Sequence, residues 1–343
     1  MKQDALKKVY EGKRILVTGG TGSIGGGLVR KLLAYEPEVI RVFSNDENAQ
    51  FEMEQELKDY SSRLRFLVGD VRDKERLQRA TENIEVVFHL AALKHVPLCE
   101  YNPFEAIKTN VIGTQNLLEV AIDGNVEKVI TISTDKAATP LNVYGATKLL
   151  AERLTIAANY YRGLKKTVFS CVRFGNVLAS RGSVVQTFEK QIRRCGPVTL
   201  TDPEMVRFFM SMDRAVYLVL KAAEMAQGEE IFILKMPALR ITDLAEVMIK
   251  KIAPSCGYKP EEVKTSLIGK RRGEKVYEEL MTEEEAFNAY ENEEMLLVLP
   301  QTPQAVKYPR KGFRKVALKR YTSKDTTMLT KKQIEEMLAS MGK

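Results

Sequence analysis

The chain has few of the residues that build metal sites and cross-links. Its 343 residues include four cysteines and two histidines. Cys99, Cys171, Cys195 and Cys256 are scattered, none forms a Cys-x-x-Cys pair, and the histidines are His89 and His95. This argues against a structural zinc site, so no metal is expected and the thiols should be reduced and packed. Long apolar runs are missing too. Nothing approaches the roughly 20 residues that a membrane span needs. Residues 1–13, MKQDALKKVYEGK, are polar and lack the apolar stretch of a signal peptide. The expectation is a cytoplasmic protein without a membrane span. No internal repeat or low-complexity segment is visible.

With 44% hydrophobic and 29% charged residues, the chain can fill the core of one large or two small domains. Its net charge is +8, spread along the sequence with a concentration over residues 307–320. No recognition helix or stacking pattern accompanies that charge. It is assigned to solubility and to attraction of an anionic substrate, not to nucleic acid.

Apolar strands alternate with amphipathic helices from the start. Strands are expected at 14–18, 39–43, 65–68, 86–90, 128–132 and 167–173. Helices are expected at 23–35, 47–60, 103–122 and 144–161, and later at 213–226, 241–252 and 331–341. Such alternation predicts an α/β chain: a Rossmann-type doubly wound parallel sheet with a smaller mixed C-terminal domain. The dinucleotide-binding domain should cover 1–175, with a return at about 205–235. The second domain takes 176–204 and 236–343. Ligands of such sheets bind at the carboxyl ends of the strands.

Thr18-Gly19-Gly20-Thr21-Gly22-Ser23-Ile24-Gly25 joins the first strand to the first helix. Glycines at 19, 22 and 25 let the backbone turn tightly, approach a pyrophosphate and pack helix on strand. Thr21, Ser23 and Ile24 complete the cradle, and the helix N-terminus turns its unpaired N–H groups to the phosphates. After the second strand comes Ser44-Asn45-Asp46-Glu47. Ser44 and Asn45 are neutral donors suited to a 2′-phosphate, and Asp46 sits a step beyond; Asn45 or Asp46 also suits a helix N-cap. NADP is the expected cofactor, with NAD the alternative. Asp70 and Val71 should flank the adenine, and Ala91 and Ala92 should pass beside the cofactor.

The most informative stretch is Ser133-Thr134-Asp135-Lys136 followed by Tyr144-Gly145-Ala146-Thr147-Lys148. Directly after an apolar strand it sets a hydroxyl, a carboxylate, an amine and a Tyr-x-x-x-Lys pair. An enzyme that oxidises an alcohol and then moves protons on neighbouring carbons needs that set. Tyr144 and Lys148 share a helical face, so the lysine charge can favour the phenolate of a group whose free pKa is about 10.

With these residues in place, the chain resembles an extended short-chain dehydrogenase/reductase. Within that superfamily it is similar to the soluble UDP-N-acetylglucosamine 4,6-dehydratases of the C5-inverting type. TGGTGSIG, AALKHVPLCEYNPFEAIKTN, STDKAATPLNVYGATKLLAE, RFGNVLASRGSVV, ALRITDLAEVM, GEK and YTS carry the resemblance from about residue 14 to 323. Two positions carry information of their own. Relatives often have an arginine where this chain has Asn45, and a sister group has methionine where it has Tyr144.

The resemblance implies oxidation at carbon 4 of a UDP-sugar, loss of water across carbons 5 and 6, and return of the hydride to carbon 6. Tyr144 would be the base at carbon 4, Thr134 would hold that hydroxyl, and Lys148 would support the phenolate and the nicotinamide ribose. Lys136 would take the carbon-5 proton, with a depressed pKa, and Asp135 would protonate the leaving hydroxyl, with a raised one. Lys94 and Asn110 fall near the cofactor, Lys94 also near the substrate. Asn176, Arg181, Val198, Thr199, Arg207, Arg271 with Arg272, and Glu274 would bind the nucleotide sugar. Relatives assemble as dimers or hexamers, so a homo-oligomer is expected. Two other readings of the same residues are a nucleotide-sugar 4-epimerase, which needs only the tyrosine, lysine and cofactor, and a non-catalytic NADP-binding sensor or scaffold.

Overall fold

A computed structural model describes residues 2–178, 180–300 and 312–339. Its centre is a sheet built from β1 (Arg14–Thr18), β2 (Val39–Ser44), β3 (Leu64–Val68), β4 (Val86–His89), β5 (Lys128–Ile132), β6 (Val168–Arg173), β7 (Ile231–Leu234), β8 (Ala289–Glu291), β9 (Met295–Val298) and β10 (Arg314–Lys315). The ten strands lie in the order β10-β8-β9-β7-β6-β5-β4-β1-β2-β3. From β3 to β7 neighbours pair in parallel. The last three strands are added antiparallel.

Both faces of the parallel part are covered, which is why its strands read as continuous apolar runs. Leu16, Val87, Val129 and Phe169 pack into one core. Their neighbours Ile15, Val17, Phe88 and Ile130 pack into the other. Strand order reverses between β1 and β4, so the crevice beyond their carboxyl ends is where a doubly wound sheet takes its ligand. The glycine loop and the segments after β4 and β5 all open there.

Helix Met212–Met225 packs on helix Ser23–Leu33, and β7 extends the sheet beside β6. Strands β8 to β10, which the sequence assigns to the second domain, belong to this sheet. A second core lies under helices Val184–Ile192, Ile241–Ile252 and Lys331–Ala339. Beside it, Ala238–Arg240, Val206–Met210 and Asn176–Val177 form a three-stranded sheet. The helix expected over 103–122 is interrupted: Pro103–Ile107 and Gly113–Asp123 are joined by a π-helical turn, Lys108–Ile112. Such turns often mark functional places in a helix. Residues 307–311 of the basic stretch and 340–341 of the last helix lie outside the described residues. No described helix is long and apolar enough to cross a membrane. Among the described residues no cluster of His, Cys, Asp and Glu is arranged for a metal ion. All four cysteines are free.

Candidate active site

The glycine loop is a cradle that side chains would fill. Gly19 has φ +65°, and a Cβ there would lie 2.8 Å from the backbone nitrogen of Ala91. A Cβ on Gly25 would lie 2.3 Å from the Gly19 carbonyl oxygen. Gly22 opens helix Ser23–Leu33 without a side-chain cap, leaving first-turn N–H groups to face the crevice. This backbone fits a dinucleotide pyrophosphate.

At the end of β2 the polar groups are engaged with one another. Thr21 Oγ1 donates to Ser44 Oγ at 2.9 Å, and the backbone N–H of Asp46 donates to the same oxygen at 3.2 Å. Asp46 caps helix Glu47–Glu56 through the N–H of Ala49 at 3.0 Å. Asn45 turns its amide to Asp70 at 3.4 Å, and Arg72 holds the Asp70 carboxyl below its usual range. Val71 is buried, and a Cβ on Gly113 would lie 2.6 Å from it. Ala91 and Ala92 are half-buried, Ala91 directly against Gly19 of the glycine loop.

Asn110 differs from the expectation of a cofactor ligand. It is buried, receives the Leu93 N–H at 2.8 Å, and donates to Leu93 O at 2.9 Å and Thr147 Oγ1 at 3.0 Å. Both amide hydrogens are committed, so it ties the loop after β4 to helix Val143–Tyr161. Asn110→Ala would leave these buried groups unpaired, and urea melts are expected to show a loss of about 1–3 kcal/mol.

The catalytic candidates meet at the end of β5. Thr134 Oγ1 donates to Asp135 Oδ1 at 2.8 Å, and Lys136 Nζ donates to the same oxygen at 3.0 Å. Asp135 Oδ2 is buried without a partner, close to Gly175. Asn142 caps helix Val143–Tyr161 through the N–H of Gly145 at 2.8 Å, and so sets Tyr144 in the first turn. Lys148, one turn on and buried, donates to Ile132 O at 2.5 Å. Burial pushes its pKa down to about 8. Burial pushes Tyr144 up to about 12, while the Lys136 charge and the neighbouring Thr134 hydroxyl pull the other way. The protein alone therefore keeps this phenol protonated near neutrality.

A residue the sequence reading missed completes the group. Glu278 is buried, with Oε1 3.5 Å from Lys136 Nζ and 3.7 Å from Arg207 Nε, and its Oε2 has no partner. Its backbone is fixed by Ser323, which accepts the Glu278 N–H on Oγ at 3.0 Å and donates its own N–H to Glu278 O at 2.8 Å. The depressed pKa expected for Lys136 is overturned here. Burial does lower it, but Asp135 and Glu278 outweigh burial and raise it. Nothing in the run Gly273-Glu274-Lys275-Val276-Tyr277-Glu278-Glu279 separates this carboxylate from its surface neighbours.

The expected substrate ligands divide. Asn176 is half-buried on its short strand, opposite Phe209. Glu274 accepts the Arg271 N–H at 3.1 Å, and Gly273 O accepts from Asn142 at 3.1 Å, so this loop lies over the start of the Tyr144 helix. Arg207 departs from the diphosphate role. It is buried, donating to Val206 O at 2.9 Å, Val276 O at 3.0 Å and Lys275 O at 2.7 Å. Val198 is fully buried in the second core and offers a base no surface. Gln191 holds the Thr199 hydroxyl at 2.8 Å. Arg181 faces the glycine loop: its N–H donates to Ser23 Oγ at 2.8 Å, and its guanidinium reaches Thr21 O. Lys94 donates to Arg181 O at 2.8 Å.

Comparison with known proteins bears on this geometry. Residues 15–300 match the family described as polysaccharide biosynthesis protein. The chain belongs to that family. It is 58% identical to an uncharacterized membrane protein of Methanocaldococcus jannaschii, over 100% of this chain and 99% of the relative. It is 44% identical to a UDP-N-acetylglucosamine 4,6-dehydratase (inverting) of Campylobacter jejuni, over 85% of this chain and 84% of that one. A UDP-glucose 4-epimerase of Rickettsia rickettsii is 39% identical over 97% of both. Among solved structures, Pen from Bacillus thuringiensis superposes with a TM-score of 0.90 at 41% identity, covering 97% of this chain and 99% of Pen. Within this polysaccharide biosynthesis family the sheet is that of the extended short-chain dehydrogenase/reductases.

Proposed function

We propose that the chain is an NADP-dependent UDP-N-acetylglucosamine 4,6-dehydratase that inverts carbon 5 and supplies a 6-deoxy-4-keto sugar for surface glycan or nonulosonic acid synthesis. The observation that carries the reading is Lys136 and Asp135 sharing a 3.0 Å hydrogen bond beside Thr134 and the Tyr144 helix. Oxidation alone needs only a tyrosine and a lysine. Elimination needs a second base and an acid, and this pair is both.

The dinucleotide, when bound, would take a hydride from carbon 4 and give it back at carbon 6. Its cradle is Gly19 to Gly25. Tyr144 accepts the carbon-4 hydroxyl proton, with the charge of Lys148 and the bound cofactor offsetting the burial that holds its pKa high. At rest the proton between Asp135 and Lys136 sits on the amine. Its shift to Asp135 Oδ1 produces a neutral base and a neutral acid in one step. Lys136 then removes the carbon-5 proton, the electron pair becomes the carbon 5–carbon 6 double bond, and the hydroxyl leaves as water with the Asp135 proton. Glu278 faces Lys136 as it regains charge, and as the hydride returns to carbon 6, carbon 5 takes a solvent-derived proton on the face opposite Lys136, which is what inverts it.

The test is incubation with UDP-N-acetylglucosamine in heavy water without added reductant, followed by NMR and mass spectrometry. Loss of one water with deuterium at carbon 5 is expected, with couplings that report inversion. A sugar of unchanged mass with an inverted carbon 4 would instead establish the epimerase, the reading favoured by the match to the Rickettsia enzyme. In cells the reaction belongs to the cytoplasm, and we infer a homo-oligomer, a dimer or hexamer, to be measured by light scattering.

A further inference from the structure

We infer that Arg181 reads the 2′-phosphate of the adenosine ribose, supplying from the opposite wall of the crevice the cation that the end of β2 lacks. The inference rests on the NADP reading above and deepens it.

The end of β2 recognises a dianion poorly by itself. Ser44 already receives the Thr21 hydroxyl, and Asn45 is turned to Asp70. The charged group next in line, Asp46, is an anion that would repel a phosphate. Arg181 reverses that local balance. Its Nη1 lies 3.7 Å from Asp46 Oδ2, the oxygen left over from capping, and its Nη2 rests on the Thr21 carbonyl. The guanidinium therefore bridges the glycine loop and the β2 turn, the two edges between which the adenosine ribose lies in this fold. More than half of the side chain is exposed (58%), so the planar fork has donors to spare for phosphate oxygens.

The segment that carries Arg181 is fixed at its other side. Lys94 Nζ binds the Arg181 carbonyl at 2.8 Å, and the Arg181 N–H binds Ser23 Oγ at 2.8 Å. Gly182, at φ +71°, lies so close to His95 that a Cβ would come 2.4 Å from its Cε1. The Gly182 N–H donates to Gln186 Oε1 at 2.8 Å. Arg181 is thereby held over the cofactor crevice by the loop after β4, and the arginine is placed before the ligand arrives.

The experiment is calorimetric titration of the full chain with NADPH and with NADH, for the native protein, Arg181→Gln and Arg181→Lys. Thermal melts establish that each variant is folded. The native protein is expected to prefer NADPH. Arg181→Gln should weaken NADPH by about 10- to 100-fold, the range of a lost hydrogen bond to a charged group, and change NADH by less than about twofold. Arg181→Lys should keep part of the preference. Equal weakening of both dinucleotides would overturn the inference, since the contact would then be to the shared pyrophosphate. So would an unchanged NADPH affinity in Arg181→Gln, with the NADP reading left standing. A native protein that prefers NADH would bring down that reading and this inference together.

Discussion

Asp135→Asn is expected to slow water elimination about 10³-fold while carbon-4 oxidation persists. General acid–base groups contribute about 10²–10⁴ in rate, and in the mechanism proposed above one carboxyl has two tasks. It takes the resting proton from Lys136 across 3.0 Å and later delivers a proton to the leaving hydroxyl. An amide does neither. Lys136 would also stay protonated, since the buried Glu278 carboxylate still faces it at 3.5 Å. Reduced nicotinamide should therefore accumulate in a single turnover, seen by its absorbance, while mass spectrometry finds no loss of water. Elimination at the native rate would sink the acid role of Asp135. Loss of the absorbance transient together with elimination would mean that Thr134, which donates to Asp135 at 2.8 Å, had moved with it.

The second large effect is on stability. Arg173→Met is expected to cost about 3–5 kcal/mol, a large share of the roughly 5–15 kcal/mol typical of a folded protein. Arg173 is fully buried at the end of β6. It holds Glu152 at 2.9 and 2.6 Å, Glu285 at 3.0 and 2.9 Å, and the Leu280 carbonyl at 2.8 Å. Methionine fills the space and leaves two carboxylates without their cation. The cost should depend on pH in a definite direction. Burial alone would raise Glu285, but Arg173 outweighs it and holds that carboxyl below its usual range. A folded pKa below the unfolded value of about 4.3 adds stability above that pH, lost as pH falls through the folded value. In the variant Glu285 loses its main counter-charge and keeps the burial, opposed only by the Thr282 N–H and Arg153, so its pKa rises and the stability it adds above that pH is lost. The gap between the two proteins in urea melts should therefore be widest at neutral pH and narrow toward pH 4. A constant gap, or a loss under about 1 kcal/mol, would show that the three charges are not coupled as drawn.

The parallel half of the sheet was legible because its strands, buried on both faces, are unbroken apolar runs such as Lys128–Ile132, and because Gly19 to Gly25 follows the first of them. Strands β8 and β9 were not: Ala289–Glu291 is too short to carry such a run, and the apolar Met295–Val298 lies outside the strand–helix alternation that marks the others. At the site, neighbours in sequence were readable as neighbours in space: Thr134, Asp135 and Lys136, or Tyr144 and Lys148 one turn apart. Residues that meet through tertiary structure were not. Arg207 reads as one more arginine until its guanidinium is seen closed on the Lys275 and Val276 carbonyls. Glu278 has no sequence mark at all, because its meaning comes from Lys136, far away in the chain. Arg181 reads as a substrate residue from its Ser-Arg-Gly loop, yet it lies against the glycine loop, since a loop residue's direction is decided by its anchors, here Ser23 and Lys94.

Glu278 is fixed in place by Ser323, 45 residues further along the chain. The glycine cradle, Tyr144 and Lys148 all leave the ribosome long before that serine. A chain that stops short of Ser323 thus carries Gly19 to Gly25, Tyr144 and Lys148 but lacks the two hydrogen bonds that fix the Glu278 backbone beside Lys136. The second carboxylate that faces Lys136 is placed by a contact that synthesis delivers late.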